Sequence, residues 1–173
     1  MLPRSFVGEL VFAPEFGSLV VEETGETYAE NALLKARAWA HVSGLPSLAD
    51  DSGLEVDALG GAPGIRSARA ASGSDADRNA WLLSCLEGRE DRAARFVAAL
   101  ALSFPERWTL ICKGDCPGRI AEKPSGSGGF GYDPLFLPHG SSVSFADIPQ
   151  AEKNEISHRA VALRRMLRVF MIQ

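Results

Sequence analysis

Two long apolar segments separated by a short polar turn place the strongest constraint on the fold. The segments are "ARFVAALALSF" and "WTLICKG", and Pro105 lies in the turn between them. Apolar runs of this length bounded by turn residues are typical of neighbouring strands. The shorter runs "LPSLA", "LEVDALG" and "GRIAEK" predict further strands, with Leu54, Val56 and Ala58 on one side of the second. The fold should therefore contain a sheet whose apolar faces are covered by other parts of the chain.

Capping signals predict the helices that cover it. Thr27-x-x-Glu30 has the form of a capping box and precedes "AENALLKARAWAHVSG", which should end near Gly44. Ser74-x-x-Asp77 opens a second helix through "NAWLLSCLEG", with Gly88 as its stop. Apolar residues then recur every three or four positions towards the end of the chain, which predicts an amphipathic last helix; they are Ile156, Ala160, Leu163, Leu167 and Phe170. Helices interleaved with strands predict an α/β fold with a mixed sheet.

Composition limits the classes of function. The chain has 173 residues, 46% of them hydrophobic, which is enough for one domain with its own core. A net charge of −4 provides no basic field of the kind that attracts nucleic acid. No apolar run approaches the length of a membrane span, so we expect no membrane partner and a cytoplasmic location. We expect the three cysteines, Cys85, Cys112 and Cys116, to be reduced thiols.

Two adjacent carboxylates, Asp50 and Asp51, follow the apolar run "LPSLA" in the stretch "DDSG". We expect this stretch to be a turn between two strands. Asp, Ser and Gly suit turns for backbone reasons alone. Paired carboxylates on a tight turn are equally what a hard divalent cation requires. The residues by themselves leave both interpretations open.

Two further clusters surround this pair. Glu22 and Glu23 precede the first helix, where they either favour its dipole or join a cation site. That helix carries Asn31 and Lys35, which are four residues apart and share a face.

The glycine-rich segment "GSGGFGYDP" holds Phe130 and Tyr132 in what we expect to be an exposed turn. An aromatic ring among glycines suits stacking on a flat base, although a phenylalanine that plugs the core would give the same pattern.

The segment "AEKNEISHR" completes the set. Ser157 stands where a helix N-cap belongs, and Lys153, His158 and Arg159 beside it form a donor-rich corner for an anion or a carbonyl oxygen.

The clusters together offer acidic groups for a divalent cation, lysines for phosphates, an aromatic ring for a base and donors for the base edge. This inventory describes a site for a nucleoside triphosphate with its magnesium ion.

The same segments resemble the signature segments of the inosine/xanthosine triphosphate pyrophosphatase family. They are "ETGETYAENALLKA", "ADDSGLEVDALGGAPGIRSARA", "GGFGYDPLF" and "AEKNEISHRAVAL", and they follow one another in the family's order from Glu22 onward. The resemblance implies an enzyme that hydrolyses deaminated purine triphosphates (ITP, dITP, XTP) to the monophosphate and pyrophosphate. It also implies an elongated mixed β-sheet with flanking helices, two lobes around a central cleft, and a homodimer.

The resemblance also implies roles for individual residues. Asp51 would be the catalytic carboxylate and would bind Mg²⁺ together with Glu23, while Asp50, Asn31 and Ser157 are secondary candidates. Lys35 would contact the triphosphate, and Ser52 would contact the substrate near the metal. Phe130 would stack on the base within the loop formed with Gly131, Tyr132 and Asp133. Lys153, His158 and Arg159 would close over the base and its neighbouring phosphates.

The opening of the chain departs from the family pattern. Family members begin with a buried strand and a "T-G-N-x-x-K" turn that binds the triphosphate, and no such turn precedes Glu22. We therefore expect residues 1–173 to form one pyrophosphatase domain that is N-terminally incomplete relative to the family. The sequence keeps two alternative functions open: a nucleotide-binding module with impaired catalysis, and an unrelated phosphatase with a similar cleft.

Overall fold

A four-stranded antiparallel sheet forms the centre of the computed structural model, which describes residues 9–170. The strands lie in the order β1-β2-β3-β4. Their bounds are β1 Ser47–Val56, β2 Ala93–Ser103, β3 Thr109–Ile120 and β4 Phe136–Pro138. The α/β class with flanking helices is confirmed. The mixed sheet is not found among the described strands, because every pair there is antiparallel.

The β2–β3 hairpin confirms the pairing of the two long apolar segments. Ser103 pairs with Thr109, and Phe104 N–H donates to Trp108 O across the turn at 3.1 Å. β3 continues through Pro117 to Ile120, so the separate strand predicted for "GRIAEK" is wrong. Proline is tolerated there because, in the described residues, the outer side of β3 is paired with β4 only over Gly118–Ile120.

The stretch "DDSG" is not a turn, which corrects the prediction of two separate strands around it. Ten consecutive residues of β1 pair with β2, from Ser47 opposite Ser103 to Val56 opposite Ala94. This ladder outweighs the local turn preference of Asp, Ser and Gly. Gly53 is required by packing instead, because a Cβ there would lie 2.3 Å from Gly64 O. The prediction that Ala58 extends a strand is also wrong, since it lies in a short 3₁₀ turn.

Residues 9–170 contain four α-helices: α1 Tyr28–Ser43, α2 Asp75–Cys85, α3 Gln150–Ile156 and α4 His158–Phe170. Both predicted capping boxes are present, at Thr27 with Glu30 and at Ser74 with Asp77. Gly44 ends α1 in the left-handed conformation, as predicted. The C-cap of α2 is Leu86, two residues before the predicted stop. The local capping chemistry therefore fixed where the first two helices begin.

The alternation of side chains along β2 assigns one helix to each face of the sheet. Ala99 and Ala101 pack against Ala32 and Ala36 of α1 on the first face. Ala98 and Leu100 pack against Ala162 and Met166 of α4 on the second. Further along that second face the largest apolar cluster includes Leu54, Phe96, Phe136, Phe145 and Leu82. Small alanines at both contacts let the helices approach the sheet closely.

The buried stripe of the last helix differs from the one that periodicity predicts. His158, Ala162 and Met166 are buried, whereas Ile156 and Phe170 are more than a third exposed. A break at Ser157 separates α3 from α4 and resets the register. Gly114 lets the backbone of α4 lie directly on β3, since a Cβ there would be 2.3 Å from Ala162 N. A histidine, an alanine and a methionine therefore form the interior face of α4.

His158 packs as a core residue. Its ring stacks on Phe96 at 4.8 Å between centroids and only 4% of the residue is exposed. Nδ1 is buried without a hydrogen-bond partner among residues 9–170. Burial, reinforced by the charge of Arg159, lowers the pKa of His158 from 6.5 to about 3. The folded protein therefore holds a neutral imidazole at pH 7.

This burial predicts a specific loss of stability in acid. The unfolded chain binds a proton at His158 below pH 6.5 while the folded chain does not, so the stabilisation is complete above pH 6.5 and is lost progressively towards pH 3. The slope from this group reaches about 1.4 kcal/mol per pH unit. Urea unfolding of the unmodified protein and His158→Phe between pH 7.5 and 4.5 measures it. The free energy of unfolding of the unmodified protein should decrease relative to that of His158→Phe as the pH falls, and parallel curves would contradict the assignment.

Candidate active site

The adjacent carboxylates Asp50 and Asp51 lie on opposite faces of the sheet. Asp51 is paired with Ala99 on the face covered by α1, and Asp50 with Leu100 on the face covered by α4. Successive side chains of a strand point in opposite directions, so the two carboxylates cannot share one cation as a turn would allow. The predicted pair instead belongs to two half-sites that meet at β1.

The first half-site, here called the acidic cluster, consists of Glu23, Asn31, Lys35 and Asp51. Lys35 Nζ lies 2.7 Å from Glu23 Oε1 and 3.0 Å from Asp51 Oδ1. Asn31 Nδ2 donates to Asp51 Oδ2 at 3.4 Å. One ammonium group therefore bridges two carboxylates that come from different parts of the chain.

Local structure positions the acidic cluster. Asn31 and Lys35 are one helical turn apart on α1, so both side chains reach β1. Asn31 Oδ1 accepts from Gly25 N at 2.8 Å and thereby fixes the loop that carries Glu23. Arg69 Nη1 approaches the other oxygen of Glu23 at 3.7 Å. Arg69 was not among the predicted site residues, because its distance in sequence from Glu23 gives no periodic signal.

Partial burial sets the protonation behaviour of the acidic cluster. Burial raises the pKa of Asp51, the hydrogen bond and charge of Lys35 lower it in part, and Glu23 adds to the rise. Burial opposes the charged form of Lys35, but hydrogen bonds to Glu23 and Asp51 outweigh it and raise the pKa of Lys35. Asp51 is thus a stronger base than a solvated aspartate, while Lys35 keeps its charge.

The second half-site, here called the base pocket, lies on the opposite face of β1. It is a pocket of about 340 Å³, within the range of small-ligand sites. Arg159 Nε donates to Asp50 Oδ2 and Arg159 Nη2 to Ser52 Oγ, each at 2.7 Å. Ser52 therefore lies with Arg159 rather than beside Asp51. The lining residues among the predicted set are Asp50, Phe130, Lys153, Ser157, His158 and Arg159.

Phe130 presents its ring to two cations. The residue is 61% exposed, so it does not plug the core. Lys153 Nζ lies 5.1 Å and Arg159 Cζ 5.4 Å from the ring centroid. Lys153 is itself buried and forms a close ion pair with Asp133. The ring and the two cations thus frame a surface on which a planar group can stack.

The other loop residues support the fold rather than the pocket. Tyr132 is buried and its hydroxyl donates to Ser67 O at 3.0 Å, which corrects the prediction that it lies in an exposed turn. Asp133 is also buried and accepts from Phe130 N at 2.8 Å. Ser157 Oγ accepts from Ala160 N at 3.3 Å, as expected of a cap on α4.

The edge position of β1 connects the two half-sites. Among residues 9–170, β1 is the last strand on its side of the sheet. Asp50, Asp51 and Ser52 therefore place the base pocket and the acidic cluster on the two faces of one strand edge.

Two residues of α2 also belong to the surroundings of the site, although sequence reasoning did not select them. Asp75 Oδ2 accepts from Gly131 N at 2.7 Å, and Asn79 Nδ2 donates to Gly131 O at 2.9 Å. Their separation by four residues on one helix places them on one face, which was the available signal.

The described residues contain no group of three histidine, cysteine, aspartate or glutamate side chains that could hold a metal ion unaided. The three cysteines are free. Over the described part of the chain, every helix is too short or too polar to cross a membrane.

Comparison with known proteins identifies the family. The chain matches the Ham1 family over residues 7–169. The dITP/XTP pyrophosphatase of Deinococcus radiodurans is 50% identical over 147 residues, which are 84% of this chain and 74% of that protein. The protein of the same name from Nocardia farcinica is 52% identical over 84% of this chain and 72% of its own length.

Solved structures agree with the sequence matches. A HAM1 protein from Coxiella burnetii is 43% identical, covers 93% of this chain and 85% of its own, and superposes with a TM-score of 0.87. The Ham1 protein of Staphylococcus aureus gives a TM-score of 0.82 at 42% identity, over 88% of this chain and 80% of its own. The resemblance inferred from the sequence is confirmed, and this chain belongs to the Ham1 family.

Proposed function

We propose that this chain hydrolyses deaminated purine nucleoside triphosphates, such as dITP, XTP and ITP, to the monophosphate and pyrophosphate. The observation that carries the proposal is the arrangement around β1, where a carboxylate–lysine cluster and an aromatic–guanidinium pocket lie on either side of one strand edge. Relatives about half identical to this chain are named dITP/XTP pyrophosphatases. Removal of such triphosphates would prevent their incorporation into nucleic acid.

The donor set of the acidic cluster suits Mg²⁺. Glu23 and Asp51 already hold one cation between them, the Lys35 ammonium group, at 2.7 and 3.0 Å. Magnesium is commonly bound by one or two carboxylates, with substrate phosphates and water as the other ligands. Glu23 and Asp51 would therefore hold the ion. When bound, Mg²⁺ would offset the charge that develops on the phosphate oxygens during attack.

The residues of the acidic cluster have separate tasks in the proposed reaction. Asp51 accepts a proton from the attacking water or orients it. Lys35 keeps its proton and is placed to contact a phosphate oxygen once its carboxylate partners bind the metal. Asn31 holds the second oxygen of Asp51 and so fixes the direction of the carboxylate.

The base pocket accounts for the preference for deaminated bases. Phe130 stacks on the base, while Arg159 is held in place by Asp50 and Ser52 and can donate further N–H groups to a 6-keto oxygen. The 6-amino group of adenine would bring a donor against these donors. Unpaired buried donors cost on the order of a few kcal/mol, which disfavours adenine.

The alternative of a nucleotide-binding module without turnover is not favoured by the geometry of the acidic cluster. Glu23, Lys35 and Asp51 lie together in the described part of the chain. A single assay tests the proposal: the protein is incubated with ITP or XTP and Mg²⁺, and pyrophosphate and orthophosphate are measured separately. Release of pyrophosphate supports the proposal, whereas orthophosphate alone or binding without turnover overturns it.

We extend the proposal to a homodimer in the cytoplasm. The family resemblance is the basis for the homodimer. The free thiols are compatible with the reducing environment of the cytoplasm. Sedimentation velocity measures the oligomeric state directly.

Substitution of the two adjacent aspartates separates their roles. Asp51→Asn should reduce kcat at least about 100-fold, because an amide neither accepts the proton nor carries the charge that the metal requires. Asp50→Asn is the matched control, since it lies on the opposite face and contacts Arg159. It should change kcat less and act mainly on KM. Equal losses of kcat in both variants would contradict the assignment of Asp51.

Removal of the aromatic ring should weaken the binding of every purine substrate to a similar extent. Stacking on an aromatic side chain contributes about 1–3 kcal/mol per base, so Phe130→Ala should raise KM for ITP and for ATP in similar proportion. Phe130→Tyr keeps the ring and serves as the control. An unchanged KM in Phe130→Ala would remove this residue from the base pocket.

Substitution of Arg159 should instead change selectivity. Arg159→Ala should lower the ratio of kcat/KM for ITP to that for ATP, because it removes a donor that only the 6-keto base accepts from. Arg159→Lys retains the positive charge without the planar set of donors and should recover only part of this ratio. A ratio that stays constant in both variants would show that Arg159 does not distinguish the base edge.

A further inference from the structure

The position of the Phe130 ring is set by its backbone rather than by packing around it. The side chain is 61% exposed, and its neighbours in the pocket are the two cations already described. Glycines at 126, 128, 129 and 131 flank it, and three of the four have positive φ. A glycine-rich segment loses much conformational entropy when it becomes ordered. A stacking surface in this loop therefore needs anchors elsewhere.

Part of the anchoring lies within the loop. Phe130 N–H donates to Asp133 Oδ2 at 2.8 Å, and Asp133 N–H donates back to Phe130 O at 3.2 Å. These bonds close the turn but do not fix it to the rest of the molecule. Gly128 N–H donates to Ala146 O at 3.1 Å, and the Tyr132–Ser67 bond and the Lys153–Asp133 ion pair hold the residues on the other side of Phe130.

Gly131 itself is held from α2, more than fifty residues earlier in the chain. Asp75 accepts from the N–H of Gly131 at 2.7 Å, and Asn79 donates to the C=O of the same residue at 2.9 Å. Both polar groups of one residue are thus held by one helix. The capping box at Ser74 fixes the start of that helix, so the two side chains have a rigid base.

The geometry of Asn79 indicates a directed contact. Asn79 is buried, and its Oδ1 has no hydrogen-bond partner among residues 9–170. An inverted amide would place this oxygen against Gly131 O, so the observed orientation is the one that binds the loop. An unpaired buried oxygen is unfavourable, so the bond from Asn79 to Gly131 comes at a cost in the stability of the fold. The bond to Gly131 also lowers the pKa of Asp75, with a smaller contribution from Arg78. The lowered pKa favours the carboxylate form of Asp75, which accepts the bond from Gly131.

We propose that Asp75 and Asn79 are positioning residues for base recognition, which hold Gly131 so that the Phe130 ring faces the base pocket before the substrate arrives. Neither residue lines the pocket. The inference rests on the proposed function, since it assigns these residues to the stacking step of that reaction. Holding the ring in place beforehand avoids the entropic cost of ordering the loop at each binding event.

A double-mutant cycle tests the proposal on the full chain. Asn79→Ala should raise KM for ITP about tenfold while kcat changes less than about twofold, since the metal-binding side is untouched. In a Phe130→Ala background the same substitution should have almost no further effect on KM, because the ring through which it acts is gone. Ser84→Ala is the control on the same helix, since the Ser84 hydroxyl bonds to Trp81 O of α2. A purely structural role would give similar losses in both backgrounds and would overturn the proposal.

Hydrogen exchange of the Gly131 amide provides a readout that does not depend on turnover. Asn79→Ala should accelerate this exchange while amides of the sheet keep their protection, and an unchanged rate would overturn the proposed anchoring. Failure of the proposed function would show itself differently, as no pyrophosphate from the unmodified protein. In that case the cycle is repeated on the Kd for inosine monophosphate, and equal Kd values for the unmodified protein and Asn79→Ala would reject the positioning role.

Discussion

The β1–β2 ladder determines the arrangement of the whole site. Ten consecutive pairs fix the register of β1, so Asp50 must face α4 and Asp51 must face α1. A shift of one residue would exchange the two carboxylates and move every apolar partner of β1 to the wrong face. Core packing and site chemistry are therefore specified by the same register. Gly53 maintains it where the backbone near Gly64 and Ser67 approaches β1 too closely for a side chain.

Lys35 holds the two carboxylates of the acidic cluster together. Its ammonium group binds Glu23 and Asp51 at the position where a second cation would compete for the same oxygens. Without a cation between them, two partly buried carboxylates would repel one another, and Glu23 does raise the pKa of Asp51. Lys35 thus stabilises the fold in the absence of substrate. In the proposed reaction the same residue is free to turn towards phosphate once the carboxylates have another partner.

The sequence predicts correctly the structural features that depend on a few neighbouring residues. It does not predict those that depend on pairing with a distant strand. The capping boxes at Thr27 and Ser74 act over three residues, and both helices begin there. The "DDSG" stretch also has a clear local preference, for a turn, but its partner strand lies more than forty residues away and imposes an extended backbone. The sequence predicts Tyr132 in the same exposed turn as Phe130 because the two lie two residues apart, yet Tyr132 is buried and Phe130 is exposed. The sequence selects the residues of the candidate site because their chemical types are unusual together, whereas Asp75 and Asn79 contact the loop only through the backbone of Gly131.

The charge arrangement of the base pocket explains how it can favour a neutral base over a phosphate group. Arg159 is paired with Asp50 and Lys153 with Asp133, so each cation that faces Phe130 already has a carboxylate partner. Here the pairing retains directed N–H donors while it reduces the field that would draw the triphosphate into the wrong half-site. Buried His158 beside them is neutral, since burial and, to a smaller extent, the charge of Arg159 lower its pKa. In the proposed reaction the base would therefore be oriented by hydrogen-bond geometry on one face of β1, and the phosphates by charge on the other.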